Sequence, residues 1–515
     1  MNNISCFISG GIIVFSFFLN SLFSQMYGFD ILKANLLLGM CEIVLFNPFE
    51  VEHKKRLILG CIGAFFFLLT FFFNPNYLVC YLFLSFLCLA FYLSKYKNDI
   101  NLGKIFIFTA VFFNLSFVSN TKIGDVQYDF ASCYNYIEYI LDNNFMFWKE
   151  NPLLTRPSYS SYHPILHFFI AGLGIRVGEL ISHSKDFASE AVQIIFVSYL
   201  FGYYIVASKI FKLINFQGIV YIGCVAFVSL FPIYNAIGGF FNNDGLLLLF
   251  QALIIYYTLL YHKDGDAKKL YMIAFYVMLA GLTKLSGILV IGGGGVVGVL
   301  KLYKNRDKKT LFDLIICFLL IILGYSIWPL YQYKVLNLDF GFVPPQTHLS
   351  IENYSIAMRF SPLRAFFYEN MFYNDFGINL WETMTKTALF GQWDFSYRGK
   401  AIFWLIECFV VLYKVLIAII WVGVFYLALK KYKNFMTYFL LALLGGVLAG
   451  QIMFSLKHPY MCNQDFRYVA ILTTIMAMIL GEFLKNLSDK LKIAIISLFI
   501  LFSLLSMFIW WYISW

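Results

Sequence analysis

Charge is the scarce component of this sequence: only 13% of its 515 residues are Asp, Glu, Lys or Arg, against about 25% in soluble globular domains. That shortage excludes an ordinary soluble enzyme, whose domains each need a solvated polar surface. The ten cysteines form no CxxC pair and no metal spacing. Most sit in apolar runs, where Cys behaves as a small hydrophobe. Cys133 and Cys462 fall instead in loops expected on one side of a membrane, and a disulfide between them is one alternative. The N-terminus has no basic n-region, and no small-residue cleavage site follows the first apolar run. It reads as an uncleaved first span. Internal repeats, heptads and low-complexity linkers are also missing.

What the chain has in abundance is apolar surface. It is 61% hydrophobic, with 60 Phe and 36 Tyr and a mean hydropathy of +0.75. The apolar residues fall into runs of about 20, the length of a helix that crosses a bilayer core. Helices satisfy their own backbone polar groups, as lipid requires. The fold class expected is therefore an all-α polytopic membrane protein, held among membrane lipids.

The formal charge of +10 does not signal nucleic acid. Lys54, Lys55 and Arg56; Lys95, Lys97 and Lys104; Lys209 and Lys212; Lys263, Lys268 and Lys269; Lys301, Lys304, Arg306, Lys308 and Lys309; Lys430, Lys431 and Lys433; and Lys485, Lys490 and Lys492 hold 22 of the 38 basic residues, all in short loops between apolar runs. Placed together on the cytoplasmic side, they satisfy the positive-inside rule.

This rule gives spans at 4–25, 30–49, 57–73, 77–94 and 104–119, then a long outer loop over 120–188. Within that loop, 164–181 is apolar but carries Arg176 and Glu179. A charged pair is costly inside a span, so the segment reads as an amphipathic surface helix. Spans resume at 189–208, 217–236 and 244–261. Residues 270–300 have basic flanks at both ends and are too few for two full crossings. They read as two half-spans meeting at 281–287, with Lys284 deep in the membrane. A span at 311–331 leads to a second outer loop, 332–402, and spans follow at 403–428, 435–455, 467–484 and 491–513. The organisation expected is N-terminal helices over 1–103, a core over 104–331, the loop over 332–402, and C-terminal helices over 403–515.

Carriers place their polar residues near the midplane. Here the polar surplus gathers on the expected outer face: Asp125, Asp129, Glu138 and Asp142 in the first loop, Asp244 at a span start, and Glu382 to Asp394 in the second loop. A carboxylate can take a proton from a hydroxyl nucleophile, and cations can stabilise a departing phosphate. Each has a plainer alternative. Asp244 can cap a helix, Lys284 can snorkel, Arg467 can anchor a helix at headgroups, and His163 before Pro164 can be a packing residue. Glu407 and Lys414 read as a structural pair within one span.

Several segments together carry a resemblance. Tyr128-Asp129 with Tyr136-Ile137-Glu138-Tyr139-Ile140, Tyr162-His163-Pro164-Ile165-Leu166-His167, Phe231-Pro232, Gly239-Phe240-Phe241-Asn242-Asn243-Asp244, Leu282-Thr283-Lys284, Phe390-Gly391 and Asp465-Phe466-Arg467-Tyr468 occur in the order of the motifs of GT-C membrane glycosyltransferases. The resemblance spans roughly residues 105–485. It is greatest to bacterial members near glycosyltransferase family 39, the group of protein O-mannosyltransferases and the lipid A aminoarabinose transferase.

That resemblance implies a GT-C-like bundle of about 12–14 transmembrane helices, with surface helices in its outer loops. It also implies inverting transfer of a sugar from a polyprenyl-phosphate donor to a lipid, glycan or protein hydroxyl, at the outer face of a bacterial cytoplasmic membrane. Asp129 matches the acid that acts as general base, with Asp125 its competitor. Asp244 matches the acid that orients hydroxyls. Lys284 and Arg467 would hold the donor phosphate, assisted by His163 and His458. Tyr128, Tyr162, Asn243, Asp465 and Trp393 would line the substrate site. Where relatives carry Gly-His this chain has Ser132-Cys133, so any role of that His is absent or moved. A divalent metal, Mg or Mn, stays open, because no clean ligand set occurs. The rival expectations are a polysaccharide polymerase or ligase using a lipid-linked glycan, and a lipid-linked sugar transporter or flippase.

Overall fold

The computed structural model describes residues 99–120, 129–145, 162–290, 308–367, 377–391, 402–431 and 434–514. The described residues are overwhelmingly helical and contain no strand, only an isolated antiparallel bridge between Ser350 and Tyr460. In chain order the first helices are α1 (Asp99–Asn120), α2 (Phe130–Asp142), α3 (Leu166–Ser182), α4 (Lys185–Ala191), α5 (Gln193–Leu213), α6 (Gly218–Ser229), α7 (Ile233–Gly239), α8 (Asp244–Asp264) and α9 (Ala267–Thr283). They are followed by α10 (Lys308–Lys334), α11 (Ile356–Phe360), α12 (Leu363–Phe367), α13 (Leu380–Phe390), α14 (Phe403–Lys430), α15 (Phe435–Lys457), α16 (Leu472–Leu484) and α17 (Asp489–Ser514).

Among the described residues, six helical stretches are long and apolar enough to cross a bilayer: Ala188–Leu213, α8, Leu311–Lys334, α14, α15 and Asp489–Trp510. Two bent pairs raise the number to eight. The first, α6 with α7, bends by 47°. Pro232 stands immediately before α7, where a missing N–H costs a helix nothing but cannot continue the preceding one. The second pair, Met461–Val469 with α16, bends by 52°. The chain is thus an all-α, multi-pass membrane protein. The spans expected at 4–25, 30–49, 57–73 and 77–94 lie outside the described residues.

Of the two half-spans expected to meet at 281–287, the first corresponds to helix α9, which ends at Thr283, and residues 291–300 of the second lie outside the described residues. Helix α9 runs for 17 residues, about 26 Å. It lies parallel to α10: Tyr271 near its start bonds Asp313, and Met278 near its end meets Gly324. A side chain at Gly324 would come within 2.6 Å of the Met278 backbone, so glycine there lets the two helices approach closely. Lys284 stands where α8 begins, at one end of the bundle. A 3₁₀ turn, Leu285–Val290, then folds back, with Gly287 beside Ala280.

The second loop is also more structured than its composition indicates. Helix α13 carries Glu382, Thr383, Lys386 and Thr387, and all four are buried. Its neighbours supply their partners. Arg364 Nε donates to Glu382 Oε1 at 2.8 Å, and Phe466 N donates to Thr387 Oγ1 at 2.8 Å. The expected surface helix at 164–181 is α3, which buries Phe168, Ala171 and Ile175 and exposes Leu173, Val177 and Leu180. Its Arg176 pairs with Glu179 at 3.0 Å. Cys133 and Cys462 are not joined by a disulfide, so that alternative does not hold.

Candidate active site

The site lies at the end of the bundle where α8 begins, and a polar belt beneath it fixes the elements that form it. Tyr203 of α5 meets the hydroxyls of Tyr234, Thr473 and Thr474 at 2.8, 2.9 and 2.7 Å. Tyr234 also bonds Thr473 and the Ala470 carbonyl. Asn114 of α1 donates to Asn235 at 2.8 Å and accepts from Tyr204 at 2.9 Å. Each such bond replaces an unsatisfied buried polar group, so the belt sets α1, α5, α7 and α16 in one relative position.

Above the belt, two short polar segments meet. Asn242 accepts the Asp244 backbone N–H at 3.1 Å, and Asn243 donates to the Thr283 carbonyl at 2.7 Å. These bonds tie the start of α8 to the end of α9. Asp465 caps the 3₁₀ turn Phe466–Val469 by accepting the Arg467 N–H at 2.9 Å. Phe466 stacks on Phe231 at 5.7 Å. Asp244 does not act as the cap itself; Asn243 holds that position.

Charged side chains converge there from segments as much as 338 residues apart. Lys284 Nζ lies 2.5 Å from Asp244 Oδ1, with 9% and 1% of the two side chains exposed. Arg467 reaches three carboxylates: Asp129 Oδ2 at 3.4 Å, Asp465 Oδ2 at 3.3 Å and Asp244 Oδ2 at 3.8 Å. Asp244 and Asp465 are almost wholly buried, whereas a third of the Asp129 side chain is exposed at the start of α2. Of the three carboxylates, Asp129 is the most exposed.

Tyr162 and His163 adjoin this cluster. Their rings lie 4.1 Å apart, and the Tyr162 carbonyl accepts from Trp328 and Gln332 of α10 at 2.9 and 3.0 Å. Burial, followed by the Lys284 charge, lowers the His163 imidazole to about 3, so it stands neutral at physiological pH. Burial, reinforced by Asp129, raises the Tyr162 phenol above its ordinary value. His458 is set apart. Its ring packs on Phe454, and Phe454 packs on Tyr468, while the imidazole reaches no carboxylate of the cluster. Burial and Lys457 lower its pKa.

Asp125, Tyr128 and Trp393 lie outside the described residues. Among the described residues, no three His, Cys, Asp or Glu side chains are arranged to hold a metal ion. Two participants carried no role in the sequence reading. The Tyr468 ring lies 4.4 Å from Lys284 Nζ and 5.3 Å from Arg467 Cζ. His167 is completely buried, with neither ring nitrogen hydrogen-bonded. Both stand in segments that carry the resemblance, Tyr468 in the Asp-Phe-Arg-Tyr run and His167 at the end of Tyr162–His167.

Beside the cluster an apolar cavity of about 360 Å³ runs between α13, α14, α15 and α16. Trp381, Thr385 and Pro362 line one part, and Ile420, Val424, Leu444 and Leu448 another. From Tyr413 to Val424 it follows α14 for about 16 Å. Phe466, the chain neighbour of Arg467, is in its wall; Asp129, Asp244, Lys284 and Arg467 are not. Against known proteins, the chain matches no family model and no curated sequence.

Proposed function

We propose that the chain is a membrane glycosyltransferase with a GT-C-like bundle of about 12–14 transmembrane helices. It transfers a sugar from a polyprenyl-phosphate carrier to an acceptor hydroxyl at the outer face of a bacterial cytoplasmic membrane. The observation that carries this reading is the convergence of Asp129, Asp244, Lys284, Asp465 and Arg467 on one spot at the end of the bundle. The motifs that resemble GT-C enzymes supply all five.

Asp129 is the base in this reading, because it alone of the three carboxylates is substantially exposed. It takes the proton as the acceptor oxygen attacks the anomeric carbon. The bond from that carbon to the phosphate oxygen breaks, and the phosphate leaves with the electron pair. Lys284 and Arg467 oppose the charge that develops on it. Asp244 and Asp465 hold the two cations in place, and neutral His163 donates or accepts a hydrogen bond without adding charge. The cavity along α14 supports a lipid-linked substrate, since apolar lining at that depth suits a hydrocarbon chain.

Binding by the full chain in nanodiscs tests the reading. Polyprenyl-phosphate monosaccharides are expected to bind more tightly than carriers bearing an oligosaccharide through pyrophosphate. The reverse order would favour a polymerase or ligase. Movement of the carrier between leaflets without transfer would favour a flippase.

A further inference from the structure

Lys284 and Arg467 present a problem that the carboxylates do not solve. Both cations face Asp244, at 2.5 and 3.8 Å, and so stand close to one another in a site with little water. Asp129, Asp244 and Asp465 already face these two cations, so a further restraint supplied by another carboxylate would leave still less positive charge. An anion would then meet little positive potential. A cation held against an aromatic face is attracted by the ring quadrupole but keeps its full charge.

Tyr468 supplies such a face. Its ring lies 4.4 Å from Lys284 Nζ and 5.3 Å from Arg467 Cζ. The ring is braced edge-on by Phe454 of α15, with centroids 5.8 Å apart, and His458 packs behind Phe454 at 5.3 Å. The ammonium of Lys284 has three N–H donors, and Asp244 Oδ1 is its one hydrogen-bond acceptor among the described residues. With the ring restraining the side chain, a donor remains for an incoming anionic oxygen.

We propose that Tyr468 is a positioning residue. Its ring holds the Lys284 and Arg467 cations in register for a phosphate oxygen without cancelling their charge, and its hydroxyl is dispensable for this role. The proposal rests on the reading of Lys284 and Arg467 as phosphate-binding, and its test separates the two.

Three full-length proteins, wild type, Tyr468→Phe and Tyr468→Leu, are compared in nanodiscs. The first readout needs no substrate. The rate at which an amine-reactive reagent acylates Lys284 is followed by peptide mass spectrometry, with exposed Lys490 as the internal reference. Loss of the ring is expected to free the ammonium and raise the Lys284 rate about tenfold in Tyr468→Leu, while Tyr468→Phe stays within about twofold of wild type. An equal rate in all three, or a rise in Tyr468→Phe matching that of Tyr468→Leu, overturns the proposal. The Lys490 rate corrects for reagent, and an unchanged melting temperature shows that the fold is intact.

The second readout is the affinity for a polyprenyl phosphate. Tyr468→Leu is expected to weaken it about tenfold, equivalent to about 1.4 kcal/mol, with Tyr468→Phe near wild type. If wild type does not bind the probe, the phosphate-binding reading fails, and the Lys284 rates still decide the role of the ring. If wild type binds and all three proteins bind equally, the ring does not position the cations.

Discussion

Lys284 Nζ and Asp244 Oδ1 lie 2.5 Å apart across 40 residues of chain, both almost entirely buried. The pair is asymmetric. Asp244 also faces Arg467 through its other oxygen at 3.8 Å, whereas Lys284 has no second carboxylate among the described residues. Removing Asp244 strands a buried cation; removing Lys284 leaves the carboxylate with Arg467. An uncompensated buried charge costs about 3–5 kcal/mol. Asp244→Asn is therefore expected to destabilise more than Lys284→Gln, and the double variant less than Asp244→Asn alone. Unfolding by SDS titration from mixed micelles, analysed as a double-mutant cycle, reads both orders. Equal single-variant losses that simply add would show that the two side chains do not depend on one another.

Asp129 makes a contrasting pair with the same arginine. Its side chain is a third exposed, and its distance to Arg467 Nη1 is 3.4 Å, so its removal leaves Arg467 with Asp465 and Asp244. Asp129→Asn is expected to lower transfer from a polyprenyl-phosphate sugar by about a thousandfold, the scale of a lost general base, while carrier affinity changes by less than about threefold. Radiolabelled transfer and equilibrium binding on the same preparation distinguish the two effects. Retained turnover would assign the proton to another group.

The legible parts of this structure were those specified by local pattern. The runs that became α5, α8, α10, α14, α15 and α17 are long and apolar, and length alone identifies them. Asn242-Asn243-Asp244 and Asp465-Phe466-Arg467-Tyr468 stood out because charge is rare beside such runs. What stayed hidden depended on partners distant in sequence. Helix α13 reads as a polar loop because Glu382 and its threonines are satisfied by Arg364 and by the backbone of Phe466. The basic flanks of 270–300 do not show what packs between them, and the closeness of α9 to α10 at Gly324 emerges only on folding. His458 shares a loop with Arg467, but its ring turns to Phe454.

His167 sets a pH dependence on stability. The imidazole is fully buried in α3 among Phe168, Phe196 and Tyr199, with both nitrogens unbonded. Burial, aided by the Lys284 charge, lowers it to about 3. The folded state therefore binds fewer protons than the unfolded state, and stability falls as pH drops below the unfolded value of about 6.5. At pH 5 the imidazole accounts for about 2 kcal/mol of that fall. Carboxylates are still ionised in the unfolded chain over most of this window. His167→Phe is expected to remove about half of the fall in melting temperature between pH 6.5 and 5, measured in detergent by intrinsic fluorescence, because His163, lowered to the same extent, keeps its share. The same slope in both proteins would mean that His167 is protonated when folded.

The cavity along α14 offers a test of the lipid-linked substrate that leaves the charged cluster untouched. Ile420 and Leu448 line it away from Trp381 and Thr385, and neither touches Asp129, Lys284 or Arg467 in any ion pair or hydrogen bond. Enlarging them to Trp fills space that a hydrocarbon chain would occupy. Each buried methylene contributes about 0.8 kcal/mol, so displacing two of them weakens binding about tenfold. Ile420→Trp and Leu448→Trp are thus expected to weaken binding of a long polyprenyl phosphate about tenfold and that of a two-unit analogue by less than about twofold. The dependence on chain length is the deciding quantity, because a general loss of fold would weaken both ligands equally. Equal loss for the two lengths, or none for either, would mean that the carrier chain lies elsewhere on the bundle.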